Sequence, residues 1–521
     1  MQTFDQNGAF GLATSLTNPA AVESAQSSPR VTSFNVIPTV DNNNVLMYLP
    51  APPAKFPEQY PLDNFCICWG IDNNLKTPYS YAMDLSYQRE LPKSMSIEVA
   101  YVGHLAHRLL AQDDLAMPLN LVDPKSKVSY FQAVDALAKQ YTKGVYDEGF
   151  NQSALGPTAA YWQDMIQPLQ AGGAYSIGPN GPLGGCANPA DVNPLTSTTS
   201  PVLAAFDLFC SGAFNETTPL SQWDVLEYGG IPDANLAGVS YFPTTGPYSF
   251  FDNQYSSLYA WRTLVPAWYH GLQVTLKRQM SHGLQFDFNY TYSKSIDVVS
   301  DAERIVPWGG VAGWITNAWD PMQGKASSDF DLRHQINANW IWQLPFGRGR
   351  AFGRGVGKGL DALIGGWQLS GLTRWSSGFP VTVDNGGVYP TDWQLEGQAA
   401  LTGLPIVTGK TVVQGYVNMF PNPTSAYAGF RHDYPGESGP RNTIRGDGYA
   451  GLDMGLAKTW IMPYSEKHSL AFTWNVFNVP NLTRFDVQTA SLIYDEANTF
   501  GRYTHLLTNP RIMQFSLRYA F

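Results

Sequence analysis

Apolar and polar residues alternate with a period of two in stretches of about ten residues, the length of a tilted strand crossing the bacterial outer membrane. The clearest stretch is 284–294. Leu284, Phe286, Phe288, Tyr290 and Tyr292 share one face there, and Gln285, Asp287, Asn289, Thr291 and Ser293 share the other. In 268–279, Leu272, Val274 and Leu276 alternate with Gln273, Thr275 and Lys277. In 333–345, Ile336, Ala338, Trp340, Trp342 and Leu344 oppose Gln335, Asn337, Asn339 and Gln343. In 468–478, Leu470, Phe472, Trp474 and Val476 oppose Ser469, Thr473 and Asn475. Met83, Leu85 and Tyr87 oppose Asp84, Ser86 and Gln88, and Ile97, Val99 and Tyr101 oppose Ser96 and Glu98. The stretches 366–377 and 449–461 alternate less cleanly, and 511–521 ends the series. About nine strands are predicted from Ser80 onward, and about ten or eleven if 45–49 or 255–263 also pair.

The connections sort by length. Short turns at 91–94, 280–283 and 462–467 alternate with long polar segments at 104–265, 295–330, 379–448 and 479–509. Outer-membrane barrels have short periplasmic turns and long extracellular loops, whereas a soluble sandwich has no reason to sort its loops this way. If 511–521 runs inward, every short turn falls on the periplasmic side. The intermediate connection 346–365 carries Arg348, Arg350, Arg354 and Lys358 and reads as a solvated periplasmic turn or a contact for periplasmic partners. The loop 104–265 is too long to be structureless, and its segment 128–142 has helical apolar spacing at Phe131, Val134, Leu137 and Tyr141.

Composition fits a membrane barrel. Charged residues are 14% of the 521, against about 25% in a soluble protein, so much of the surface has no need of charge. A mean hydropathy of -0.20 is compatible with a barrel, whose strands average apolar and polar faces. A net charge of -10 argues against a nucleic-acid partner. The chain ends on Met513, Phe515, Leu517, Tyr519 and Phe521 at two-residue steps, the lipid-facing pattern with a terminal aromatic that the barrel-assembly machinery reads. No signal peptide is visible in 1–30.

Catalytic and metal readings are weak, and no enzyme, cofactor or metal site is expected. There is no G-x-S-x-G elbow. Asp297, Asp301 and Glu303 read as solvated loop carboxylates rather than a glycosidase pair, and His104 and His107 lack a third ligand. Loop aromatics Trp308, Trp314, Trp319, Tyr389 and Trp393 are the candidate ligand contacts, because lipid does not require them there. Four cysteines fit an oxidising compartment, or are unrelated thiols. Cys186 and Cys210 share one extracellular segment and are expected to pair. Cys66 and Cys68 are too close to bridge each other.

The segments YSYAMDLSYQRELPKSMSIEVAYVGH (79–104), YHGLQVTLKRQMSHGLQFDFNYTYSKSID (269–297), SDFDLRHQINANWIWQLPFGRGR (328–350), GGWQLSGLTRWSSGFPVTV (365–383) and TWNVFNVPNLTRF (473–485), with the chain end, resemble the C-terminal barrel half of TonB-dependent receptors of the Oar-like type. That resemblance implies an N-terminal signal, a carboxypeptidase-regulatory-like domain, a plug contacting TonB, and a barrel of about 22 strands. None of the parts before the barrel is visible. The expected fold is all-β: the C-terminal part of a large antiparallel transmembrane β-barrel over 79–521, preceded by an irregular region, 1–78. The expected role is outer-membrane uptake of a large substrate such as an oligosaccharide or siderophore. Its partners are outer-membrane lipid, the assembly machinery, TonB through a plug outside this chain, and an extracellular ligand. The alternatives are an outer-membrane adhesin or surface-binding protein, and a secreted carbohydrate-active β protein.

Overall fold

The computed structural model describes residues 36–40, 46–50, 67–72, 74–115, 120, 122–144, 150–165, 175–176, 194–195, 200–211, 257–300, 315–386 and 397–521. Among these, nine long strands form one sheet: β1 (Tyr79–Leu91), β2 (Met95–Asp114), β3 (Ser257–Ser281), β4 (Leu284–Asp297), β5 (His334–Gln343), β6 (Gln368–Ser376), β7 (Ala450–Met462), β8 (Ser465–Phe477) and β9 (Ile512–Ala520). Each pairs antiparallel with the next in chain order, a meander without crossover. The 45–49 stretch stays out of this sheet, since Leu46–Pro50 pairs with Val36–Val40 in a hairpin of its own. Of the 255–263 stretch, the described residues 257–263 form the outer end of β3, beside which Ile67–Ile71 runs parallel.

Register places the alternating sets on common faces. Tyr87, Val99, Val274, Tyr290, Ile336, Trp375 and Ala450 lie directly opposite one another in a single row across seven strands. Another row runs Met95, Arg278, Phe286, Trp340, Gly371, Met454, Val476 and Met513. Directly opposed antiparallel residues share a face, and a one-residue slip anywhere would invert it. The reverse face carries the polar row Gln88, Glu98, Thr275, Asn289, Asn337, Arg374 and Gly451. Gly371 is required where it stands, because a Cβ there would sit 2.3 Å from the Trp340 ring that crosses it.

Two belts bracket the apolar face. At the outer end, the Tyr101 hydroxyl bonds His270 Nδ1 at 2.7 Å and the Tyr290 hydroxyl bonds His334 Nδ1 at 2.9 Å, while Tyr79 stacks on His107. At the inner end, Trp367 meets Trp460 and Phe472 edge-on, and the Tyr519 hydroxyl bonds His468 Nδ1 at 2.5 Å. Rings with one polar tip suit the two water–lipid interfaces.

Strands β2 and β3 run farther outward than their alternation shows, pairing as far as Asp114 and Tyr259. Irregularities between Ala106 and Leu110 shift the register there, with Arg108 at φ 57°. Such a bulge breaks the two-residue parity on which a sequence reading depends. Among the described residues β1 pairs only with β2, and β9 only with β8. Unpaired backbone groups in hydrocarbon cost several kcal/mol each.

The long loops fold. The helix expected at 128–142 is α1 (Tyr130–Tyr141), opened by a capping box between Ser129 and Gln132. It packs against α2 (Ala159–Met165) and α3 (Pro201–Ser211), burying Tyr130, Val134, Leu137, Trp162, Phe206 and Phe209 completely. Phe131 is only half-buried, because it turns toward Gly436 of another loop. Loops 379–448 and 479–509 build a second core around Met419, Phe420, Phe430, Val487 and Phe500.

Candidate functional site: the outer loop assembly

The outer loops are latched to one another and to the strand ends by a few buried charges. Arg441, 9% exposed, donates from Nη1 to the Val298 carbonyl at 2.6 Å, the Gly324 carbonyl at 3.1 Å and Asp297 Oδ1 at 3.2 Å. Its Nη2 donates to Ser300 Oγ at 2.9 Å and Asp329 Oδ1 at 3.0 Å. The planar guanidinium fork suits such a convergence, which an ammonium could not reproduce. Beside it Arg445 pairs with buried Asp331 and donates to the carbonyls of Asp331 and Gly378 at 2.8 and 3.1 Å. The segment 441–445 thereby holds the loop after β6 to the loop between β4 and β5.

A second cluster lies in the same assembly. Arg431 grips Glu437 with two bonds of 2.8 Å, and Asn385 Nδ2 donates to Asp433 Oδ2 at 3.3 Å. Burial pushes the Asp433 carboxyl up to about 8. Asp447 goes the other way: burial works to raise it, but Lys410 and Arg484, each bonded at 2.8 Å, hold it below the usual carboxylate range. Because the folded value of Asp433 lies above the unfolded one, the folded assembly binds the extra proton. Its stability is full below about pH 4 and declines as pH rises toward 8. Protection factors of amides in 397–448, which discount the intrinsic rise of exchange with pH, are expected to fall across that window in the native protein and far less in Asp433→Asn. Parallel pH dependence in both would refute the assignment.

The candidate site residues fall as follows. Trp319 is exposed on the outer assembly; Trp308, Trp314, Tyr389 and Trp393 lie outside the described residues. Asp297 is not a solvated loop carboxylate. It is the buried partner of Arg441, while Asp301 and Glu303 lie outside the described residues. His104 and His107 are not at a strand exit but inside β2, in regular register with Ala82 and Tyr79 of β1 and so on opposite faces, which rules against a shared metal. Met513, Phe515, Leu517 and Tyr519 all face outward on β9 with Phe521 beyond them, and all five are exposed. Arg441 and Arg445 lie outside the alternating pattern and are not marked by it. Their signal was a pair of arginines four residues apart in a glycine-rich loop of a charge-poor chain.

Cys210, on α3, is disulfide-bonded. Its expected partner Cys186 lies outside the described residues, as does Cys66. Peptide mapping without reduction is expected to join the Cys210 and Cys186 peptides, and alkylated Cys186 would refute that pairing. Closing a loop of this length stabilises by about 3 kcal/mol in the chain-entropy model.

A meander of antiparallel strands, apolar on one face and polar on the other, with aromatic belts and long loops on one side only, defines an outer-membrane β-barrel protein. The family described as outer membrane beta barrel domain matches residues 4–175 and 187–514. The chain belongs to that family, and its place is the bacterial outer membrane. No curated protein matches it. Among solved structures it is similar to the outer membrane transporter YddB from Escherichia coli, at 8% identity and a TM-score of 0.31, over 86% of this chain and 33% of that one. It is also similar to a mutant of the ferric enterobactin receptor PfeA from Pseudomonas aeruginosa, at 10% identity and a TM-score of 0.29, over 86% and 31%. The chain thus spans about a third of the length of these structures.

Proposed function

We propose that 79–521 is the C-terminal barrel portion of a TonB-dependent transporter of the Oar-like type, with 1–78 leading into it. Its proposed cargo is a large polar substrate such as an oligosaccharide or a siderophore. The observation that carries this reading is the row of polar side chains across six neighbouring strands of the inner face, from Gln88 to Arg374, under loops folded well enough to cover a mouth. A polar inner face serves passage of a polar substrate. The plug and the TonB contact belong to another part of the protein. Trp308, Trp314, Trp319, Tyr389 and Trp393 are the proposed ligand contacts, and the β9 face ending at Phe521 is the proposed signal for the barrel-assembly machinery.

A second reading, an outer-membrane surface-binding protein or adhesin, draws on the separate hydrophobic cores of the loop bodies. Cells expressing the full gene product, with and without a working TonB complex, separate the two. Uptake of labelled oligosaccharides or siderophores that stops without TonB is the expected result. Surface binding that never leads to uptake would replace transport by adhesion.

A further inference from the structure

We propose that the connection 344–366 between β5 and β6 is a membrane anchor whose cations hold the phosphate groups of anionic phospholipids in the periplasmic leaflet. This inference rests on the barrel, not on the transport reading. Strand β5 runs inward and β6 returns, so the connection lies on the side of the short turns. It carries α4 (Lys358–Ile364), and three side chains of the lipid-facing wall hold the end of that helix. Lys458 Nζ donates to the Ala362 carbonyl at 2.6 Å, Trp460 Nε1 donates to the same carbonyl at 2.7 Å, and Trp367 Nε1 donates to the Leu363 carbonyl at 2.7 Å. Lys458 and Trp460 stand directly opposite Phe472 and Leu470 on the apolar face. The helix therefore lies against the outside of the barrel wall, at the bilayer interface, and not under the lumen.

Lys458 explains why it is held there. A cation on a lipid-facing row is costly alone. Here it is 5% exposed, covered by α4 and set over the rings of Trp367 and Trp460 at 5.3 and 5.1 Å. The carbonyls at the helix C-terminus are the electronegative end suited to receive it. The rest of the connection is shaped as tightly. The Gly347 amide donates to the Phe352 carbonyl at 2.9 Å, and the Arg348 amide donates to Asp361 Oδ1 at 2.6 Å. Gly347 sits at φ +113°, where a Cβ would meet Asp361 Oδ1 and Gly365 Cα at 2.6 Å.

What this shaped connection shows outward is half apolar and half basic. Phe346, Phe352, Leu360 and Leu363 are exposed, Leu363 to 68%. Arg348, Arg350, Arg354 and Lys358 are exposed too, and none makes an ion pair among the described residues. Asp361 is the one acid of the stretch, so four cations against one carboxylate leave +3, in a chain whose net charge is -10. Apolar side chains with cations beside them are the composition of interfacial segments that insert at the headgroup boundary and favour anionic lipid. The apolar residues continue the lipid-facing belt, and the cations meet phosphates at its edge.

The test uses the full-length gene product reconstituted in phosphatidylcholine vesicles, with spin-labelled phosphatidylglycerol or spin-labelled phosphatidylcholine as the reporting lipid. Native protein is expected to retain phosphatidylglycerol preferentially, with a preference that falls as salt rises. The quadruple variant Arg348→Gln, Arg350→Gln, Arg354→Gln, Lys358→Gln is expected to lose about tenfold of that preference. Because these side chains are exposed and bear no packing, the variant should keep its heat-modifiable folded form. If it does not fold, the salt titration of the native protein still decides. Equal retention of the two lipids by native protein, a preference indifferent to salt, or a preference that survives the quadruple substitution would overturn the proposal. So would a loss confined to binding of a periplasmic protein.

Discussion

Arg441→Ala is expected to loosen the outer loop assembly by about 3–5 kcal/mol, the cost of leaving a buried charge without its partner, while the barrel stays folded. The substitution removes five bonds at once and strands Asp297, which is 5% exposed, together with the Val298 and Gly324 carbonyls. A buried acceptor left unmade costs more than the bond contributed. Arg441→Lys should recover little, since one ammonium cannot reach acceptors spread over both arms of a guanidinium. The strand register lies beyond these contacts and should not change. Hydrogen exchange of amides in 315–331 and 440–446 should accelerate by two orders of magnitude or more (roughly, at 1.4 kcal/mol per tenfold), with heat-modifiable migration on gels intact. Native-like protection of both segments would show that the latch does not hold the loops.

The second large effect is on the lipid face. Phe288 stands midway along β4, directly opposite Leu276 on one side and Ala338 on the other. Phe288→Arg places a charge near the bilayer midplane and should cost about 2–4 kcal/mol of folding stability in lipid. Asn289→Arg, one residue along, points into the polar lumen opposite Thr275 and Asn337 and should cost little. Tyr519 and Phe521, at the inner end, are expected to tolerate aspartate poorly as well, with lower yield of folded protein. Urea titration in lipid vesicles checks the pair at 288 and 289. Equal costs at the two positions would mean that the faces are not distinct solvents.

The strands of the membrane zone were legible because each side chain there answers to one of two solvents. Lipid selects Leu284 to Tyr292 at even positions, and a wet lumen selects Gln285 to Thr291 between them. Where that division ends, legibility ended. The outer part of β2 carries Ala111, Gln112, Asp113 and Asp114, all buried whatever their polarity, and a bulge upsets the parity just before them. The latch was invisible for a different reason. Arg441 finds Asp297 and Asp329 at sequence separations of 144 and 112, and no local pattern encodes so distant a pairing. Helix α1 was readable from its own spacing, yet which face it buried depended on α2 and α3 far along the chain. The basic connection 346–365 looked like a solvated turn because its grip on the wall comes from Lys458 and Trp460 on another strand.

Spin labels placed singly at each position from 284 to 292 in the reconstituted protein test the central claim most directly. Collision with oxygen, which partitions into lipid, should be high at 284, 286, 288, 290 and 292. Collision with a water-soluble nickel complex should be high at 285, 287, 289 and 291. A period of two, in this phase, is the result expected of a membrane-spanning strand with β3 and β5 at its sides. Uniform accessibility along the segment, or alternation in the opposite phase, would contradict the barrel.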